Sequence, residues 1–238
     1  MNLTPNLNLT RCLTYLETQL VSPGNRRFVT RSPTITVSRM TGSGGLAIAD
    51  HLAGILQGSR PGEPAPWTVF HRSLIEKVLA DDHLPSDFSR FIPENRVSYI
   101  TDTLEELFGL HPSASSMVTQ IAKTILSLGE LGNCILVGRG SHIVLGKCDT
   151  AFHVRLVGSL DRRIQRVAET QNLDANVARE YIKTEDAARR RYLKTYFDTD
   201  IDDPLKYHLT LNTDTFAIRE AAELIAAAVL GRFPKNPE

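Results

Sequence analysis

This sequence has no excess of either charge. Over 238 residues, 27 lysines and arginines balance 27 aspartates and glutamates, so no global field favours nucleic acid or an anionic membrane. Cysteine is scarce. Cys12, Cys134 and Cys148 are scattered and none lies in a C-x-x-C pair, which argues against a disulfide framework and for a reducing, cytoplasmic setting. The seven histidines show no zinc-like spacing. No stretch approaches the ~20 consecutive apolar residues of a membrane span, and the N-terminus lacks the pattern of a secretory signal. There is no G-x-S-x-G nucleophile elbow, no internal repeat and no low-complexity segment. The Ser/Thr residues around 113–119 and Ser141-His142 read as caps and helix surface. With 42% hydrophobic and 23% charged residues, the chain suits one large soluble domain, or a core carrying an inserted subdomain.

One motif stands out. A β-branched run, Ile35-Thr36-Val37, stops at Thr41-Gly42-Ser43-Gly44-Gly45, and an apolar-periodic helix follows at once through Ala49, Leu52, Ala53 and Leu56. A strand, glycine turn and helix in that order gather backbone N–H groups at the positive end of a helix, the usual means of holding phosphate. A P-loop would continue G-x-x-x-x-G-K-[ST], with the lysine on the β/γ-phosphates and the hydroxyl on Mg²⁺. Here the lysine position falls on Gly45, and neither Leu46 nor Ala47 can ligate a metal. The metal ligands are therefore left open. The same residues also fit G-x-G-x-x-[GA], the dinucleotide fingerprint. Against that stand the distance of Gly42 from the strand end and the want of a carboxylate after the second strand. Arg72 could meet a 2′-phosphate, so an NADP-binding oxidoreductase stays as a third reading.

The remaining pattern alternates strands and helices. Residues 9–20 carry Leu9, Cys12, Leu13, Leu16 and Leu20 at helical spacing, giving an accessory helix and linker over residues 1–30. Strands are expected at 34–38, 67–70, 134–137, 151–157 and 207–211. Helices are expected from the glycine turn to about 58, on to 79 after the second strand, at 117–128, to about 194 from Asp174, and at 216–230. Ser159 and Asp174 are candidate N-caps. Prolines at 85, 93 and 112 break the pattern across about 81–116, read as an inserted helical segment. Such alternation predicts an α/β fold with a parallel sheet, ligands lying beyond the carboxyl ends of the strands. The glycine turn, residues 71–77 and Gly138-Arg139-Gly140 all follow strand ends, on one rim.

Arginine supplies the candidate side chains. Arg139, between two glycines at a strand end, can meet a phosphate bidentately. Asp186 lies at i,i+3 to Arg189 and i,i+4 to Arg190, and Arg189, Arg190, Arg191 and Lys194 concentrate positive charge before the last strand. A basic segment there can close over polyphosphate and stabilise developing charge; the alternative is a solvated helix face. Arg162, Arg163 and Arg166 extend this cluster or are ordinary surface residues.

Taken in order, ITVSRMTGSGG, FHRSLIEKV, ILVGRGSHIVL, HVRLVGSLDRRIQRV, EDAARRRYLKTYF and DPLKYHLTLNT resemble the cytidylate kinase-like family, relatives of the P-loop nucleoside monophosphate kinases. The resemblance runs from about Thr34 to Gly231. It implies a three-layer P-loop fold with a five-stranded parallel sheet, in a domain spanning 31–232, with a lid at about 186–205 and a tail at 233–238. It implies ATP and Mg²⁺ as cofactors, and Gly42, Ser43, Gly44 and Gly45 as the phosphate loop. Lys77 lies near an arginine position for the monophosphate, Arg139 matches the arginine of a Gly-Arg-Asp motif, and Asp186 with Arg189 matches a substrate-contacting pair. The chain departs from the pattern at Gly140, where the family has aspartate, and at Gly45 and Leu46. Loss of the lysine resembles an R-x-x-G-S-G-G branch, although an arginine commonly follows where this chain has Leu46. Arg39 is then the nearest cation to replace the lysine.

The expected function is transfer of the ATP γ-phosphoryl to a nucleoside monophosphate such as CMP, with Arg39, Arg189 and Arg190 catalytic. Lys77, Arg139, Asp186 and Arg189 would meet substrate, and Arg189, Arg190, Arg191 and Lys194 would form the lid. The alternative is a catalytically silent nucleotide binder or regulator. Partners are small nucleotides, with no nucleic acid and no membrane; acceptor and oligomeric state stay open.

Overall fold

The computed structural model describes residues 32–59, 66–72 and 116–234, with positions 10, 12, 14, 15, 18, 102 and 103. The helix expected after the second strand, nearly all of the inserted segment and Lys77 lie outside the described residues. So do most of residues 1–30 and residues 235–238.

Five strands form one parallel sheet in the order β2-β3-β1-β4-β5. They are β1 (Thr34–Arg39), β2 (Thr68–His71), β3 (Cys134–Val137), β4 (Ala151–Val157) and β5 (Leu209–Asn212). Helices are α1 (Gly45–Ser59), α2 (Ser116–Leu131), α3 (Ser141–Val144), α4 (Leu160–Gln171), α5 (Ala175–Phe197) and α6 (Ile218–Arg232). The five-stranded parallel α/β fold expected from the sequence is the fold observed. The topology also corrects the oxidoreductase reading. A dinucleotide-binding half keeps β2 beside β1, whereas β3 lies between them here.

The two faces of the central strands differ in kind. Ile35, Val37, Val154 and Leu156 point to one face, where they are buried with Ile48 and Leu52 of α1 and Ala221 and Ile225 of α6. Thr34, Thr36, Ser38, His153 and Arg155 alternate with them and are buried on the other. Burying polar groups demands partners, and they have them. Thr36 Oγ1 meets His153 Nδ1 at 2.8 Å, and Arg155 Nη1 donates to Ser38 Oγ at 3.0 Å. The His153 ring stacks on His208 at 4.8 Å. Burial lowers the His153 pKa to about 4 and that of His142 to about 3, with neighbouring positive charge adding to both. In the N-terminal segment Cys12 and Tyr15 are buried, and Tyr15 packs edge-on to Phe70 at 5.5 Å.

Boundaries shift where packing overrides local signals. The helix expected to stop at residue 128 runs through Gly129, whose bare Cα leaves room for Leu145, and ends at Gly132 and Asn133, both at positive φ. The last strand begins at Leu209 because Asp203 caps a 3-10 turn over Pro204–Lys206, and Tyr207 turns inward to donate to Ile201 O at 2.8 Å. Ser159 and Asp174 do cap α4 and α5, accepting from Arg162 N and Asn176 N.

Candidate phosphate site

The turn after β1 is shaped by glycine. Gly42 and Gly44 have φ of 81° and 80°, values that L side chains rarely adopt. At Gly44 a Cβ would also lie 2.5 Å from Ile218 Cδ1. Within the turn Ser43 N and Oγ both donate to Met40 O, at 3.2 and 2.8 Å. Further on, the N–H groups of Gly44, Gly45, Leu46 and Ala47 meet no acceptor among the described residues. Helices α4 and α5 differ here. Ser159 and Asp174 cap α4 and α5, and Glu220 Oε2 accepts from Ala217 N at 2.8 Å before α6. The open donors of α1 and the helix dipole make its start receptive to an anion.

The loop is held from one side by α4 and α5. Asp186 Oδ1 accepts from Thr41 N at 2.8 Å and from Thr41 Oγ1 at 2.7 Å. Arg163 Nη1 donates to Asp186 Oδ2 at 2.7 Å and to Thr41 O at 3.1 Å, while its Nε donates to Gly158 O at 2.9 Å. Arg166 Nη1 reaches Gly42 O at 2.6 Å. Arg189 Nη1 donates to Asp186 Oδ1 at 3.0 Å and to Thr41 Oγ1, and its Nη2 to Glu185 Oε2 at 3.1 Å. Asp186 therefore ties α5 to the loop, a role its sequence spacing does not reveal. Arg163, open to a surface reading from sequence, is buried with its donors engaged.

On the other side Arg39 leaves the end of β1. Its stem passes Gly45, where a Cβ would lie 3.0 Å from Arg39 Cγ and 3.1 Å from its Cβ, and its guanidinium reaches Gly138. No carboxylate or hydrogen-bond acceptor meets that guanidinium among the described residues. Burial, then the charge of Arg189, lowers its pKa to about 10; Arg155 and Arg139 add to this and Glu185 opposes it. A narrow cleft is lined by Arg39, Met40, Arg155, Asp186, Arg189, Arg190 and Ile201.

The four basic residues expected on the lid do not converge. Arg189 faces the loop, and Arg190 Nε reaches Asp202 Oδ2 at 3.2 Å at the cleft's edge. Arg191 is exposed, and Lys194 pairs with Asp198 in solvent, because a helix turns them by about 100° per residue away from the cleft. Asp202 also receives Arg155 Nη2 at 2.7 Å, tying the cleft edge to the sheet. Burial opposes ionisation of Asp202, but the hydrogen bonds and charges of Arg155 and Arg190 prevail and hold its pKa low.

Arg139 follows β3 in a turn where it, Gly138 and Gly140 all have positive φ. Its guanidinium lies over the Tyr192 ring at 5.7 Å, and burial, then the charge of Arg72, lowers its pKa. A Cβ at Gly140, where the resembled motif has aspartate, would lie 2.9 Å from Phe197 and 3.2 Å from Leu193. The packing of α5 occupies the space an aspartate would need.

Nothing in the loop suits a metal. Leu46 carries no oxygen, Ser43 Oγ is turned to Met40 O, and no group of three or more acidic, histidine or cysteine residues is placed to hold an ion among the described residues. The described residues of the loop therefore offer Mg²⁺ no ligand set.

The cytidylate kinase-like family matches residues 34–215, from β1 to just past β5. The chain belongs to that family. Among individual cytidylate kinase-like relatives, a cytidylate kinase of Methanoculleus marisnigri is 28% identical over 118 residues, half of this chain and 63% of that enzyme. A cytidylate kinase of Staphylothermus marinus is 30% identical over 125 residues, covering 52% of this chain and 69% of that enzyme. The chain thus spans less than two thirds of the first relative. An uncharacterised protein from Eubacterium ventriosum shares the fold at a TM-score of 0.57, with 17% identity, over 84% of this chain and 99% of that one. No helix among the described residues is long and apolar enough to cross a membrane.

Proposed function

We propose that the protein is a nucleotide kinase transferring the γ-phosphoryl of ATP to a nucleoside monophosphate such as CMP. The observation that carries this reading is the start of α1, whose open N–H groups lie beside Arg39, a half-buried arginine with no acceptor among the described residues, and near a helix bearing two further arginines. Donor phosphates would take the open N–H groups of residues 44–47, at the end of the loop, and the charge of Arg39. The acceptor phosphate would lie toward Arg139, with Arg72 adding charge and Lys77 as a further contact. In transfer, the bond from the γ-phosphorus to the β–γ bridging oxygen breaks and a bond to an acceptor phosphate oxygen forms. ADP leaves with the electron pair. Charge spreads over the transferred oxygens, and Arg189 and Arg190 are placed to stabilise it.

A second reading, a nucleotide binder without turnover, is favoured by Leu46 where kinases carry a metal-binding hydroxyl. A coupled ADP-release assay with Mg²⁺–ATP and a panel of monophosphates separates the two. ADP formed with an acceptor supports the kinase. ATP bound with no ADP above background for any acceptor replaces it with the silent binder.

A further inference from the structure

We infer that Arg39, Gly45 and Gly138 form one exchanged unit. The loop cation has moved from the first helical position to the strand exit, and the two glycines stay bare to house it. This rests on the proposed role of the loop as a nucleotide phosphate site.

The geometry is specific. A Cβ at position 45 would touch the arginine stem at Cγ (3.0 Å), Cβ (3.1 Å) and Cδ (3.6 Å). A lysine there would begin in space the Arg39 stem already fills. At the far end, a Cβ on Gly138 would fall on Arg39 Nη1 and lie 3.1 Å from Cζ. The side chain is thus threaded between the start of α1 and the turn after β3. Its charge is delivered from the β3 side of the loop, between the expected donor and acceptor phosphates. A residue larger than glycine at 45 crowds the Arg39 stem, which must shift to admit it, so the two positions are coupled.

A double-mutant cycle on the full chain tests this without activity. Gly45→Ala in the wild-type background should lower Tm by roughly 3–8 °C, as overpacking does in a domain of this size. In an Arg39→Gly background, which removes both crowding atoms, the same change should be neutral or raise Tm, because alanine favours helix over glycine. An equal loss in both backgrounds overturns the inference. Gly138→Ala is unsuited to the cycle, since its φ of 88° adds strain of its own.

The second arm measures ATP affinity by calorimetry. Arg39→Gly and Gly45→Lys should each weaken binding at least ~10-fold, the loss of one charge-assisted contact. The double variant Arg39→Gly/Gly45→Lys should recover to within a few-fold of wild type. If wild type binds ATP and Arg39→Gly binds it equally well, the exchange is overturned while the nucleotide site stands. If wild type binds no ATP, the nucleotide reading falls and the charge-delivery half of the inference falls with it.

Discussion

Arg163 and Arg39 lie on opposite flanks of the same loop and are treated in opposite ways. Arg163 is buried with acceptors on three sides, Gly158 O, Thr41 O and the Asp186 carboxylate. Arg39 is half-buried, yet its guanidinium meets no acceptor among the described residues, and burial lowers its pKa to about 10. A saturated arginine fixes shape, because removing it takes a charge-assisted donor from the Gly158 and Thr41 carbonyls and from Asp186 Oδ2. An arginine with no acceptor among the described residues costs stability and keeps its donors open to a ligand. The α4 flank therefore builds the loop, and the Arg39 flank equips it.

The largest effect expected from this contrast is on stability. Arg163→Ala should destabilise the fold by about 2–3 kcal/mol, the loss of its buried charge-assisted hydrogen bonds while Asp186 keeps Arg189, as read by urea unfolding. A loss below ~1 kcal/mol, the range of exposed pairs, would mean that Arg163 does not build the loop. Next is Arg189→Ala. It should lower kcat at least ~100-fold with a modest change in KM, by analogy with loss of one preorganised donor. A matching fall in Tm without a kcat effect would move Arg189 to the structural flank. Arg39→Ala comes third and carries the contrast most sharply. Affinity for ATP should fall by about 1.5–3 kcal/mol, more than for AMP, while unfolding free energy holds or rises. Loss of stability in this variant would break the comparison.

A smaller effect concerns pH and gives a perturbation confined to stability. His153 and His142 have pKa values of about 4 and 3 in the fold, against ~6.5 unfolded. Between those limits the unfolded chain binds more protons, so folding stability is full above about 6.5 and falls as pH drops toward 4. His153→Gln should flatten that fall in chemical denaturation across the same window. An unchanged slope would place the titration elsewhere. Arg191→Ala, at an exposed position outside the cleft, should change neither Tm nor kcat measurably.

Much of the frame was legible in the residues, for physical reasons. Cys134-Ile135-Leu136-Val137 is apolar throughout because β3 is buried on both faces, and its limits match those read from the sequence. The loop glycines announce a backbone that needs positive φ. Ser159 and Asp174 mark helix starts because their oxygens suit open N–H groups. Polar burial was not legible. Thr36, Ser38, His153 and Arg155 look like surface residues until their cross-strand partners, 117 residues away in the pairs Thr36–His153 and Ser38–Arg155, are brought beside them. Asp186 is a similar case. Helical spacing pairs it with Arg189, but only the fold carries it across 145 residues of chain to Thr41 N. The charge run at 189–194 reads as one cluster, whereas helical rotation divides it between cleft and solvent.

Calorimetric titration of the wild-type protein with ATP and with AMP tests the central claim most directly. If the start of α1 and Arg39 form a polyphosphate site, ATP should bind at least ~10-fold more tightly than AMP, one charge-assisted contact being worth that much. Equal affinities, or no binding of ATP, would contradict the account.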